Sequence, residues 1–263
     1  MSDNLHVKVT GNGDKRLILL HGLFGSANNL GQLARAFKDE YTVYSVDLPD
    51  HGRSTWLPTA SVAAYAEIVG QWLIHEGIGQ VRVIGHSLGG KVAMKLALEY
   101  PTLIEKLVVL DIAPVAYSSR HDAVFAGLNA VVKAGVQTRA EAKQILEPLL
   151  EEPRVADFLL TSAQMTERGV IDWRFNLAGI QAGYDKILGG IAEEVGGAPV
   201  YARDLLVIRG ELSDYVIDDS GTQFRPWFPS VNVTTVRGAG HWLHQEKSSE
   251  VYEAACQFFD RID

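Results

Sequence analysis

The segment around Ser87 constrains the fold more than any other part of the chain. Residues 85–89 read Gly-His-Ser-Leu-Gly, with an apolar run at 81–84 before them and helical spacing at 88–100 after them. Glycines on both sides of a serine favour a sharp, strained turn, because side chains in their places would clash with the neighbouring backbone. The segment therefore predicts a strand–turn–helix unit that lifts the Ser87 hydroxyl into the open at a helix N-terminus.

The same alternation of apolar runs and helical spacing recurs along the chain. Further runs typical of buried strands lie at 16–20, 41–46, 107–110, 205–208 and 231–236, and a final helix is predicted at 248–262. Continuous apolar strands that alternate with helices indicate an α/β fold with a mostly parallel, twisted sheet covered by helices on both faces. A chain of 263 residues commonly forms one such unit.

The alternation stops between residues 114 and 199. Helical signals at 123–134, 139–150 and 155–164 follow one another there without a convincing buried strand. We therefore expect residues 1–113 and 200–263 to form the sheet core and residues 114–199 to form a helical cap inserted into it. Another helix is predicted near 219–228, within the core.

A serine hydroxyl becomes a useful nucleophile only when a base removes its proton. Of the eight histidines, His241 stands in Gly-Ala-Gly-His-Trp, after the last predicted strand and before the last helix. The glycines allow this loop to carry the imidazole towards Ser87, so His241 is the predicted base. His244, three residues later, is the competitor. His75 and His121 have no motif around them and are predicted to face solvent.

The base needs a carboxylate that accepts a hydrogen bond from its far nitrogen. Asp111 directly follows the apolar run 107–110, and Asp214 lies in the loop after the run 205–208. We prefer Asp111 and keep Asp214 as the alternative, with Ser213 as a hydrogen-bonding partner of the histidine or of Asp111.

The negative oxygen of a tetrahedral intermediate needs two N–H donors. The predicted donors are the backbone amides of Leu88, after the serine, and of Leu23, in the loop after the first buried strand. Candidate substrate-lining side chains are those near these motifs and aromatic residues of the cap. They are Phe24, His86, Tyr117, Trp173, Phe175 and Trp242.

Composition limits the partners. The formal net charge is −8, which argues against a nucleic-acid or anionic-membrane surface as the main partner. No apolar run approaches the roughly 20 residues needed to span a bilayer, and the first residues lack a signal-peptide pattern, so a cytoplasmic location is expected. The single cysteine, Cys256, excludes an intramolecular disulfide. No nucleotide-loop or zinc-protease motif is present, so no cofactor or metal is expected.

Together the motifs resemble the α/β-hydrolase superfamily, and within it the small bacterial YbfF-type esterases and their abhydrolase-domain (ABHD) relatives in animals. The segments that carry the resemblance are Leu-His-Gly-Leu-Phe-Gly-Ser at 20–26, Val-Asp-Leu-Pro-Asp-His-Gly-Arg-Ser at 46–54, the serine motif at 85–90, Val-Leu-Asp-Ile-Ala-Pro at 109–114, Trp-Arg-Phe-Asn at 173–176 and Gly-His-Trp at 240–242. In most of the superfamily that this chain resembles, the acid stands at the position of Ser213. The YbfF-type group is similar to this chain in having serine there, which supports Asp111.

The resemblance implies a serine esterase that acts on carboxylic esters or acyl thioesters through an acyl-enzyme. The expected partner is a small-molecule ester or thioester substrate, and a monomer or homodimer is expected. One departure from the superfamily pattern is Asp50, which replaces a glycine, although aspartate tolerates left-handed backbone. The alternatives are carbon–carbon bond hydrolysis or perhydrolysis on the same scaffold, and a non-catalytic ligand receptor. Haloalkane dehalogenation and epoxide hydrolysis are disfavoured, because those enzymes have aspartate at the position of Ser87.

Overall fold

A computed structural model of the chain describes residues 5–191 and 200–261. The strands are β1 (Val7–Thr10), β2 (Lys15–Leu20), β3 (Tyr41–Val46), β4 (Val81–His86), β5 (Ile104–Leu110), β6 (Ala163–Met165), β7 (Ile171–Trp173), β8 (Leu205–Gly210) and β9 (Val231–Val236). The helices are α1 (Gly31–Phe37), α2 (Val62–His75), α3 (Leu88–Glu99), α4 (Asp122–Ala134), α5 (Arg139–Leu146), α6 (Pro153–Leu160), α7 (Leu177–Ala182), α8 (Tyr184–Leu188), α9 (Leu243–Glu246) and α10 (Ser248–Phe259). The last residues of the predicted cap, 192–199, and Ile262 of the predicted final helix lie outside the described residues.

The main sheet has the strand order β1-β3-β2-β4-β5-β8-β9 in the described part of the chain. Strand β1 runs antiparallel to β3, and the other neighbouring pairs are parallel. Helices α2 and α3 contribute to the core on one face of the sheet, and α1 and α10 to the core on the other. Because helices cover both faces of the sheet, consecutive strand residues that point to opposite faces, such as Val83 and Ile84, are both buried. The predicted α/β fold is confirmed.

The segment between β5 and β8 carries α4 to α8 and a hairpin of β6 and β7. We call its described residues, 114–191, the inserted segment. The sequence indicated no convincing strand here, and the hairpin corrects that expectation, because three-residue strands are too short to show a period of two. Val124 and Trp173 of the segment share one apolar core with Leu88 and Ile112 of the sheet side. The segment therefore packs onto the sheet side without a separate core of its own among the described residues.

The helix predicted near 219–228 does not form. Turns occupy this stretch, and Phe224 and Phe228 are buried in the main core. Pro226 lies within it and Pro229 directly after it, and each lacks the N–H that a helix needs from its interior residues. The apolar spacing in this stretch comes from the buried rings of Phe224 and Phe228, which lie in an irregular series of turns and not in a helix.

Asp50 attaches the inserted segment to the sheet. Its φ is 64°, so the expected left-handed backbone is confirmed, and its side chain is fully buried. The carboxylate accepts hydrogen bonds from Leu57 N (2.7 Å), Asn176 Nδ2 (2.8 Å) and the Tyr65 hydroxyl (2.8 Å). Its carbonyl oxygen accepts the Asn176 N–H at 2.8 Å. The aspartate thus supplies bonds that a glycine could not make.

Over residues 5–191 and 200–261, none of the helices combines the length and the apolar character needed to cross a membrane.

Candidate active site

The turn at Ser87 has the strained geometry that its glycines predict. Strand β4 ends at His86, α3 begins at Leu88, and Ser87 between them has φ 52° and ψ −119°. A Cβ atom at Gly85 would lie 2.3 Å from the Gly89 carbonyl oxygen, and one at Gly89 would lie 2.2 Å from the Leu20 carbonyl oxygen. Such contacts are shorter than real carbon–oxygen contacts, so both positions require glycine and the serine is held at the tip of the bend.

A chain of hydrogen bonds joins Ser87, His241 and Asp111. The Ser87 Oγ lies 3.0 Å from His241 Nε2, and His241 Nδ1 lies 2.8 Å from Asp111 Oδ2. An ionised carboxylate only accepts hydrogen bonds, so Nδ1 carries the proton and Nε2 is left to accept from the serine hydroxyl. Ser87 and Asp111 follow the neighbouring parallel strands β4 and β5, whose carboxyl ends meet at one edge of the sheet.

Asp111 is held by more than the histidine. Its side chain is fully buried and its φ is 52°. Oδ1 accepts the Gly210 N–H at 3.0 Å, and Oδ2 accepts the Ser213 hydroxyl proton as well as that of His241. Of the two partners left open for Ser213, the structure therefore shows Asp111. These bonds fix the carboxylate behind the imidazole.

Asp214 is near the cavity at Ser87 but bonds to a different partner. Its side chain is 77% exposed, and its Oδ1 pairs with the Arg120 guanidinium at 2.9 Å. The geometry pairs His241 with Asp111 and not with Asp214.

His244 does not compete for Ser87. It is buried, and its ring packs against the ring of His86 with centroids 4.2 Å apart. Burial lowers the pKa of His244 to about 3 and holds the pKa of His86 well below its usual value. The Nε2–H of His86 donates to the His241 carbonyl oxygen at 2.9 Å, so His86 holds the histidine loop in place.

His75 and His121, the two histidines without a motif around them, differ in their exposure to solvent. The side chain of His75 is 84% exposed, as predicted. The prediction for His121 is wrong, because His121 lines the cavity beside Ser87 and its Nδ1 lies 2.5 Å from the Tyr184 hydroxyl. Burial lowers the pKa of His121 to about 4.

The loop at residues 22–25 lies against the serine. The Gly25 N–H donates to the Gly22 carbonyl at 3.1 Å, and a Cβ atom at Gly22 would lie 3.3 Å from the Ser87 Cβ. The Phe24 N–H is already bonded to His51 Nε2 at 3.1 Å. Leu23, between Gly22 and Phe24, and Leu88, in the first turn of α3, both line the cavity at Ser87.

Two buried histidines support this loop. His21 donates from Nδ1 to the Gly22 carbonyl (2.8 Å) and accepts the Leu48 N–H at Nε2 (3.0 Å). His51 donates from Nδ1 to the Pro49 carbonyl at 2.9 Å and accepts from Phe24. Burial lowers the pKa of His21, and that of His51 to about 3, so both rings stay neutral. His51 was not singled out in the sequence; its place in the Asp-His-Gly-Arg-Ser segment was the available signal.

A cavity of about 640 Å³ opens over the serine. Apolar side chains from the sheet loops and the inserted segment form much of its wall, among them Leu23, Phe24, Ile112, Val124, Val155, Leu159, Ile187 and Leu188. Of the predicted lining residues, Phe24, His86, Tyr117 and Trp242 are in the wall.

Trp173 and Phe175 are not in the cavity wall, so the prediction for them is wrong. Each is 1% exposed, and their rings stack with centroids 5.6 Å apart. Phe175 lies behind Phe24, at a centroid distance of 5.0 Å, and the Trp173 indole N–H donates to the Leu128 carbonyl at 3.2 Å. Both rings are core residues that support the wall from behind.

Comparison with known proteins identifies the family of the chain. The model of the alpha/beta hydrolase family matches residues 17–255, so the chain belongs to that family. Within that family, the chain is similar to proteins named as esterases and lipases, which identifies it as a hydrolase.

The relatives cover nearly the whole chain. Esterase YbfF of Escherichia coli is 37% identical over 93% of this chain and 92% of its own. The mouse sn-1-specific diacylglycerol lipase ABHD11 is 33% identical over 92% of this chain and 80% of its own. A solved structure, a marine microorganism esterase, covers 98% of this chain and 100% of its own with a TM-score of 0.92 and 31% identity. The likeness to catalysts favours an enzyme over a non-catalytic receptor.

Proposed function

We propose that the chain is a serine esterase in which Ser87 is the nucleophile, His241 the base and Asp111 the acid that orients the base. The observation that carries the proposal is the continuous hydrogen-bonded chain from the Ser87 hydroxyl through both nitrogens of His241 to Asp111. Its order and tautomer are those that a serine needs to lose its proton as it attacks a carbonyl.

The reaction proceeds by acyl transfer. His241 takes the Ser87 proton while the serine oxygen bonds to the ester carbonyl carbon, and the backbone amides of Leu23 and Leu88 hold the negative oxygen. His241 then gives that proton to the leaving alcohol as the carbon–oxygen bond breaks. A water molecule repeats the sequence on the acyl-enzyme and releases the carboxylic acid. Each step passes one proton through His241, so atoms and charge balance.

The cavity supports a substrate with an apolar acyl group. Leu23 and Phe24 border the serine on one side, and Ile187 and Leu188 of the inserted segment contribute to the wall. Burial of a methylene group against such a wall stabilises the complex by about 0.8 kcal/mol. We therefore propose that kcat/KM rises with acyl chain length until the 640 Å³ cavity is filled. An acyl thioester presents the same carbonyl and is the second substrate class to compare.

The test compares the chain with its Ser87→Ala variant on a series of p-nitrophenyl esters and acyl thioesters. We expect the variant to lose at least about 10³-fold in kcat, because nothing else in the chain of bonds supplies a nucleophile. A fluorophosphonate probe should phosphonylate Ser87, with fluoride as the leaving group, and so add the mass of the probe less that of HF to the peptide that contains Ser87. The matched control is Ser220→Ala, an exposed serine whose hydroxyl bonds only within its own loop in the described structure. Full activity in Ser87→Ala would overturn the proposal.

A further inference from the structure

Tyr215 lies directly against the base. Its ring stacks on the His241 imidazole with centroids 4.0 Å apart and planes 20° apart. The guanidinium carbon of Arg120 lies 4.6 Å from the centroid of the same tyrosine ring. The phenol group is therefore contacted by two side chains, the His241 imidazole on its ring and the Arg120 guanidinium, which also hydrogen-bonds to it. Neither Tyr215 nor Arg120 was among the residues that the sequence singled out.

The inserted segment holds Tyr215 in this place. The Tyr117 hydroxyl donates to the Tyr215 carbonyl oxygen at 2.7 Å and accepts the Ala113 N–H at 2.8 Å. Ala113 is two residues after Asp111, so one hydroxyl links the acid's loop to the residue stacked on the base. Arg120 also pairs with Asp214, the residue before Tyr215, at 2.9 Å. The exposed Asp214 thus anchors the loop.

A flat support matters because an imidazole bonded at its two nitrogens can still tilt about the line that joins them. Torsions of this kind have broad minima, and a misplacement of about 1 Å can cost about 10²-fold in rate. The face of an aromatic ring also attracts the positive imidazolium that forms when the serine loses its proton. Ser87, Asp111 and the buried His86, whose ring centroid is 4.8 Å away, also contact His241. His121 and the buried His244 interact with it electrostatically.

We propose that Tyr215 is a positioning residue for His241, and that Tyr117 and Arg120 of the inserted segment set the orientation of the base through it. This inference rests on the proposed role of His241. It gives the inserted segment a part in the chemical step besides its part in the cavity wall.

The test distinguishes the effect of the Tyr215 aromatic ring from the effects of its hydroxyl group and of its apolar volume. Tyr215→Phe keeps the stacked ring and should stay within about threefold of the parent kcat. Tyr215→Leu keeps an apolar side chain but no aromatic face, and should lose about 10- to 100-fold in kcat with a smaller change in KM. Arg120→Met and Tyr117→Phe each remove one support, and should lose about two- to tenfold. Thermal unfolding of each variant checks that it is folded.

A second readout does not depend on turnover. The low-field proton resonance of His241 Nδ1–H should persist in Tyr215→Phe and broaden or move in Tyr215→Leu. Parent kcat in folded Tyr215→Leu, or equal losses in Tyr215→Phe and Tyr215→Leu, would overturn the inference. Should Tyr215→Leu fail to fold, an unchanged resonance in Arg120→Met and Tyr117→Phe would overturn it. Activity of Ser87→Ala would instead overturn the proposed function, so the two failures are distinguishable.

Discussion

The loops at the ends of the sheet strands and the inserted segment reach the site in different ways. Ser87 and Asp111 arrive there because each directly follows a strand whose neighbours fix its position, and both have a positive φ that the surrounding backbone enforces. The inserted segment acts through the ends of long side chains, such as Tyr117 and Arg120. A residue that is positioned by the backbone next to it can be recognised from a local sequence motif. A residue that reaches the site through a long side chain has no such motif around it.

The two regions also join differently. The strands share ladders of backbone bonds. The inserted segment is joined to the sheet side by the shared apolar core, by single backbone bonds such as that of the Asn176 N–H to the Asp50 carbonyl, and by polar contacts of side chains with carbonyls. The Ser162 hydroxyl donates to the Phe24 carbonyl at 2.9 Å, and Lys91 of α3 donates to the carbonyls of Leu188 (2.8 Å) and Gly189 (2.7 Å). Substitutions in the two regions should therefore affect different measured quantities.

The largest difference is expected between the two candidate acids. Asp111→Asn should lower kcat by about 10³- to 10⁴-fold, because an amide in place of the carboxylate favours the wrong imidazole tautomer. Asp214→Asn should change kcat by less than about tenfold, since Asp214 contacts Arg120 and not His241. Steady-state kinetics on one p-nitrophenyl ester measures both. Comparable losses in the two variants would contradict the separation seen in the structure.

A smaller effect, on stability, is expected at Asp50, where the two regions join. Asp50→Gly keeps the left-handed backbone but leaves donors on Leu57, Tyr65 and Asn176 without their acceptor. We expect the free energy of unfolding in urea to fall by about 2–6 kcal/mol, because the two fully buried donors, on Tyr65 and Asn176, cost about 1–3 kcal/mol each when unpaired.

The control for Asp50 is Tyr65→Phe, which removes one of these donors together with its need for a partner and should cost about 1 kcal/mol. Equal stability of Asp50→Gly and the parent would mean that the aspartate does not attach the inserted segment.

The smallest effect concerns pH and is shared by both regions. Burial lowers the pKa of His51 at the sheet end to about 3 and that of His121 in the inserted segment to about 4. Between about pH 6.5 and 4 the unfolded chain therefore binds more protons than the folded one, and stability falls as the pH falls. Each such histidine contributes at most about 1.4 kcal/mol per pH unit.

His51→Gln retains an acceptor for the Phe24 N–H and should reduce that slope, measured by urea unfolding from pH 7 to 4.5. His75→Gln, at an exposed histidine, is the matched control and should leave the slope unchanged. A slope that is the same in His51→Gln and the parent would show that His51 is not kept neutral by burial.

Some elements of the structure were predictable from the sequence and others were not. The strand–turn–helix unit at Ser87 and the sheet strands were predictable, because buried parallel strands are continuous apolar runs and the turn requires glycines. The helix predicted near 219–228 did not form, since its period came from Phe224 and Phe228 in a proline-interrupted chain. Trp173 and Phe175 were assigned to the cavity wall but lie behind it, because aromatic character does not tell which side of a wall a ring occupies.

Local sequence patterns were enough to predict the α/β fold, the bend that exposes Ser87, and the loop that carries His241, because each depends on residues adjacent in the chain. Folding in three dimensions was needed to place Asp111 rather than Asp214 beside His241, to bring Tyr215 against the imidazole, and to turn His121 towards the cavity. These outcomes depend on distances between side chains that are far apart in the chain. Such a distance can change by a few ångströms without any change in the sequence motifs around the two residues.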